Sequence, residues 1–126
     1  MAERDFQAVF EQLKAVMQPF EEKLELKADA PGDYALLTQH KRKDGYQMWF
    51  GAVQIKKNYV SYHLVPIYVH PELQEGMSAE LKKRMQGKGC FNFKTVDEAL
   101  FRELGKLTKE GFEAFEKDKF ITTGAQ

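Results

Sequence analysis

From Phe6 to Phe20 the apolar residues Phe6, Val9, Phe10, Leu13, Val16, Met17 and Phe20 recur at spacings of three and four. That period puts them on one stripe of an amphipathic helix. Pro19 ends or kinks this helix near Gln18, because proline brings no amide donor and clashes with the turn before it. The pattern then changes: Leu24, Leu26 and Ala28 alternate with Glu25 and Lys27, the period of a half-buried strand. Ala30-Pro31-Gly32-Asp33 is a turn, proline presetting one dihedral and glycine permitting a positive one. Tyr34 to Gln39 reads as the returning strand, and Lys43-Asp44-Gly45 closes a second hairpin.

Tyr46 to Ile55 reads as a third strand, dense in large residues on both faces. Lys56 to Asn58 is a tight turn, and Tyr59 to Tyr68 a fourth strand interrupted at Pro66. Ser78 is placed to cap a short helix running through Met85, with Glu80 in its first turn. Gly87 and Gly89 end it, and Cys90 to Phe93 is short enough for an edge strand. Thr95 and Glu98 have the spacing of a capping box. The last helix then runs to about Lys117, with Leu100, Leu104, Leu107 and Phe115 as its buried stripe. Gly105 and Gly111 within it predict either close packing or fraying. The expected fold is α+β: an antiparallel meander of four to five strands packed in two layers against N- and C-terminal helices.

A chain of 126 residues, 43% hydrophobic and with ten Phe, is enough for a single domain over 1–126 with one ring-rich core. Its 19 basic and 19 acidic residues cancel, so no global field draws it to nucleic acid or an anionic membrane. The cancellation hides opposed patches. Eight acids stand against four bases up to Asp33, while Lys82, Lys83, Arg84, Lys88 and Lys94 face only Glu80 between positions 80 and 94. One cysteine excludes an internal disulfide. The Met-Ala-Glu-Arg-Asp start has no apolar stretch of the secretory kind. The uncharged run from Asn58 to Pro71 is too short and too polar to span a bilayer. A cytoplasmic protein with no membrane partner is the expectation.

The rings of the meander outnumber what two helices cover, so some should line a groove or a subunit contact. The expected ligand surface therefore joins Trp49, Tyr59, Tyr62 and Phe93 to a rim of Lys83, Arg84 and Lys88. Lys83 and Arg84, with the amides of the Gly87-Lys88-Gly89 turn, would form an anion-binding concavity. No phosphate-loop or dinucleotide fingerprint is present. Stacking of single-stranded nucleic acid is disfavoured by the neutral charge. Glu21, Glu22 and Glu25, with Asp29 and Asp33, are oxygen donors for a hard cation but lack calcium-loop spacing. Cys90 lies near Lys88 and Lys94, cations that lower a thiol's pKa, and His63 or His70 would have to serve as its base. No cofactor is implied.

Three segments carry a resemblance: Trp49-Phe50-Gly51, Asn58-Tyr59-Val60-Ser61-Tyr62-His63-Leu64, and the run Lys83-Arg84-Met85-Gln86-Gly87-Lys88-Gly89-Cys90-Phe91-Asn92-Phe93. Together they resemble the YdhG-like family, a domain of unknown function, over residues 34–115. The resemblance implies a compact, mainly antiparallel α+β domain and brings no catalytic set. Some relatives have been proposed to deliver iron from acidic surface residues, as frataxin does; here the acids concentrate before Tyr34. Three functions follow as expectations. The first is a non-enzymatic module for a small anionic or amphipathic ligand or a protein partner, able to form a homodimer through a sheet face or edge. The alternatives are an iron-handling protein and a cysteine-dependent enzyme.

Overall fold

Helix α1 (Phe6–Met17) buries Val9, Phe10, Leu13 and Met17, and the chain tightens into a 3-10 turn over Gln18–Lys23 where Pro19 removes a helical donor. These elements come from a computed structural model that describes residues 6–41, 43–87, 89–118 and 120. Five strands follow in a meander: β1 (Glu25–Ala30), β2 (Asp33–Lys41), β3 (Gln47–Ile55), β4 (Val60–Leu64) and β5 (Cys90–Phe93). They pair antiparallel in sequence order. Between β4 and β5 lie the short helix α2 (Pro66–Val69), a 3-10 turn over Pro71–Gly76 and α3 (Ala79–Lys82). The long helix α4 (Glu98–Lys117) closes the chain. The fold is α+β, an antiparallel five-stranded sheet with N- and C-terminal helices.

The sheet's two faces differ in chemistry. On one, Tyr34, Val53, Tyr62 and Phe91 stand in a single row across four strands, beside a second row of Ile55, Val60 and Phe93. This face joins α1 and α4 in the core. Each fully buried phenylalanine there contributes roughly 1.5–3 kcal/mol. The Tyr62 hydroxyl lies 2.6 Å from Oγ1 of Thr108 on α4, which donates to the Leu104 carbonyl, so the polar tip of this ring is satisfied inside the core. A β-bulge in β3 turns both Phe50 and Gly51 toward the helices. Only glycine fits at 51, where a Cβ would stand 2.5 Å from Cε of Met17 and 2.7 Å from the His63 carbonyl.

Four local expectations change. β1 is exposed along most of its length instead of half-buried. It is the sheet edge, bulged between Leu26 and Ala28, and Leu26 is left 47% exposed. β4 stops at Leu64 because Pro66 has no donor for the ladder and a dihedral suited to the first turn of α2. α3 ends at Lys82 because Met85 leaves the helix to bridge Phe91. Its cap is as expected, Oγ of Ser78 accepting from the Leu81 amide at 3.1 Å. The cap of α4 is Asp97, whose Oδ1 accepts from the Leu100 amide at 3.2 Å, and not Thr95. The stripe of α4 is buried as its period predicts, and Gly111 is a close-packing site against Pro66.

Candidate functional site

The sheet face turned away from the helices carries a hollow of about 330 Å³ lined by Trp49, Ala52, Gln54, Lys56, Tyr59, Ser61, His63, Gln86, Cys90 and Asn92. Strand parity builds it. Ala52, His63 and Cys90 are register partners across β3, β4 and β5, and Gln54, Ser61 and Asn92 form the next row. Ala52 and Cys90 flank His63 in the first row and Ser61 is the middle of the second, so small side chains leave the surface low around His63. Larger side chains stand beyond both ends. Trp49 precedes the β3 bulge on the open face, paired with Leu37. At the other end the Lys56 amide donates to the Tyr59 carbonyl at 2.7 Å, closing the β3–β4 turn that carries both side chains.

Hydrogen-bonding capacity in this hollow is unspent. Ser61 is only 6% exposed, and its hydroxyl has no hydrogen-bond partner among the described residues. No fully enclosed side-chain polar atom among them lacks a partner, so that hydroxyl opens into the hollow. The Asn92 amide, the Trp49 indole N–H and the Tyr59 hydroxyl are likewise unused by the described residues. Gln54 is held by Asp33, its Nε2 donating to Oδ1 at 3.2 Å. Lys56 supplies a positive charge that acts on Cys90.

His63 and Cys90 meet across β4 and β5 with Nδ1 3.0 Å from Sγ. Burial pulls the His63 imidazole below its ordinary value and pushes the Cys90 thiol above its own, an effect the Lys56 charge opposes. Burial thus favours the neutral form of both groups, and in the tautomer with the proton on Nε2 the thiol donates to Nδ1 of His63. Two neighbours fix the pair. The Tyr68 ring stands edge-on to His63 at 5.3 Å between centroids. Gly89 lets β5 come close, since a Cβ there would lie 2.8 Å from both the Leu64 carbonyl and the Tyr68 ring.

Of the expected ligand residues, Trp49 and Tyr59 line the hollow, half-buried. Tyr62 and Phe93 do not. Their parity sends them to the helix-covered face, where they are 0% and 1% exposed. Lys83 and Arg84 are exposed on the segment after α3 and are not part of the lining; Lys83 pairs with Glu80 at 3.6 Å. Lys88 lies outside the described residues. The cation of the hollow is Lys56, unflagged by charge density because it sits in a turn away from the basic run. Ser61, His63, Cys90 and Asn92 had a signal in sequence, being the polar alternates of two otherwise apolar strands.

The acidic candidates disperse. Glu21 accepts from the Tyr34 hydroxyl at 2.7 Å and Glu25 from Nε2 of Gln47 at 2.7 Å, while Glu22 is exposed. No group of three or more acidic, histidine or cysteine side chains among the described residues is arranged to hold a metal ion. His70 is remote from Cys90 in role: it joins Asp118 at 2.6 Å and Glu72 at 3.2 Å. A groove beside α4, lined by Met77, Ser78, Glu103 and Leu107, is comparable in size at about 340 Å³. Two of its polar residues are engaged with each other, the Ser78 amide and hydroxyl both donating to Glu103 at 2.7 Å. No helix among the described residues is long and apolar enough to cross a membrane. No protein-family model, curated protein or solved structure matches the chain.

Proposed function

We propose that the protein is a binding module whose open sheet face takes a small ring-bearing ligand with a carboxylate or comparable acceptor group. The observation that carries this reading is Ser61, a residue only 6% exposed whose hydroxyl has no partner among the described residues and opens into a hollow that also holds Lys56. A ligand acceptor that replaces water at this hydroxyl gains the net worth of one hydrogen bond, about 0.5–1.5 kcal/mol. Trp49 and Tyr59 offer flat apolar area at the ends of the hollow, and Lys56, Asn92 and the indole N–H offer donors for an anion. The order of strands and helices over residues 34–115 supports the YdhG-like resemblance, and the single unbridged cysteine fits a reducing cytoplasm. The exposed β1 edge is the surface for a homodimer, if one forms.

Trp49 is the only tryptophan, so its fluorescence reports on the site directly. Titration with cinnamate should give a saturable change, with benzyl alcohol binding more weakly for want of charge. Replacing Lys56 with Gln should weaken cinnamate about tenfold, the loss of one charge-assisted contact. A fluorescence that stays linear in cinnamate through the millimolar range would sink the proposal.

A further inference from the structure

The ligand reading leaves one feature of the hollow unused: a nucleophile and a base in contact at its floor. Resting on that reading, we infer that the Cys90–His63 pair captures ligands covalently when they carry an α,β-unsaturated carbonyl group, the thiol adding to the carbon–carbon double bond. Cys90 and His63 lie 3.0 Å apart, inside the reach that a base-activated nucleophile needs. Both open onto the cavity between Trp49 and Tyr59. Neither side chain is held by any other hydrogen bond among the described residues. The pair is backed by the Tyr68 ring and the close approach at Gly89, so its geometry belongs to the folded sheet and is not that of a stray surface thiol.

The step balances without an outside reagent. Sγ forms a bond to the β-carbon as its proton passes to Nδ1 of His63. The electrons of the double bond move onto the carbonyl oxygen as an enolate, and His63 returns the proton to the α-carbon. Nothing is oxidised or reduced and no group leaves. The next row along the strands, about 7 Å away, carries the unspent Ser61 hydroxyl and Asn92 amide. Those donors and Lys56 are placed to receive the enolate oxygen, the point where negative charge develops. The neutral resting state of the pair fits this role: the sulfur gains its nucleophilicity as the proton moves, instead of standing ready as a thiolate.

Base assistance and free-thiol chemistry differ in their pH profiles. A free thiol's addition rate rises about tenfold per pH unit up to its own pKa, because only the thiolate reacts. A pair that already holds its base reacts at a constant rate once His63 is neutral, the form that its burial favours. The charged and titratable groups facing the pair are Lys56 and Tyr59 from the turn and Tyr68 from α2.

The test incubates the full chain with benzylideneacetone, an aromatic enone, and follows the intact mass from about pH 6.5 to 8.5. The expected result is one adduct on Cys90, absent from Cys90→Ser, with a rate flat above neutrality and at least about tenfold above that of the urea-unfolded chain. In His63→Gln the rate at pH 7 should fall about tenfold or more and regain the steep slope. A wild-type rate equal to the unfolded control, or a slope of tenfold per unit in the folded chain, overturns the inference. Should His63→Gln fail to fold, the wild-type profile alone decides. Cinnamate binding to Cys90→Ser with no enone adduct on the wild type would refute capture and leave the binding module standing. Loss of both would remove both readings.

Discussion

Two glycines on α4 receive the same substitution with opposite expected signs. Alanine is better than glycine within a helix by roughly 0.5–1 kcal/mol, because glycine loses more backbone entropy on folding. At Gly105 a new Cβ would meet only Cγ1 of Val16 at 3.9 Å, an ordinary contact. Gly105→Ala should therefore stabilise by about that amount and raise the midpoint of melting by about 2–4 °C. At Gly111 the Cβ would stand 2.8 Å from Cβ and 3.0 Å from Cγ of Pro66. The proline ring cannot swing aside, and overpacking of this kind costs roughly 1–3 kcal/mol. That outweighs the helical gain, so Gly111→Ala should destabilise by about 1 kcal/mol. Pro66 begins α2, which carries the Tyr68 ring that stands against His63. The substitution should therefore also disturb the hollow. Urea unfolding of the two variants, with the slope checked for constancy, measures both effects. If Gly111→Ala matched Gly105→Ala in stability, the α2–α4 contact would be looser than described and the reasoning from it wrong.

The hydrogen bond between Tyr62 and Thr108 predicts an asymmetry. Thr108→Val strands a buried phenol and should cost about 1–3 kcal/mol, whereas Tyr62→Phe leaves Thr108 its Leu104 acceptor and should cost about 1 kcal/mol. The double variant should fall well short of the sum, and strict additivity would show that the bond does not couple the two. His70 predicts a pH effect. Its hydrogen bond to Asp118, with Glu72 adding to it, raises its pKa above 6.5 in the folded chain. The stabilisation is then fully present below the unfolded value and is lost as pH rises through the folded one. An NMR titration should find His70 above its ordinary value and Asp118→Asn should lower it; an unmoved His70 in the variant would refute the pairing.

Much of the fold was legible because its signals are local. The 3.6 period of α1 and α4 and the turns at Gly32 and Gly45, both at positive φ, depend only on neighbouring residues. The site was legible in part. Trp49 and Tyr59 were found by their size, but Tyr62 and Phe93 were drawn into the same group although alternation already separated them. In Val60-Ser61-Tyr62-His63-Leu64 the apolar residues take one face and Ser61 and His63 the other. The β3 bulge had no comparable signal, since Trp49, Phe50 and Gly51 form an unbroken apolar run whose slip is imposed by pairing with β2. Nor did the meeting of His63 with Cys90. It rests on the β4–β5 register, which is set through 25 intervening residues that include α2 and α3. The basic run misled for a different reason: charge density marks a solvated surface as readily as a ligand rim.

The account rests on the open sheet face being the ligand surface, and side-chain NMR tests that most directly. Cinnamate added to labelled protein should shift the single Trp49 indole N–H together with the Asn92 side-chain amide, saturably and with one common affinity. Gln12, beside the α1–α4 groove on the helical side, should stay still. Shifts confined to Gln12, or none at all, would contradict it.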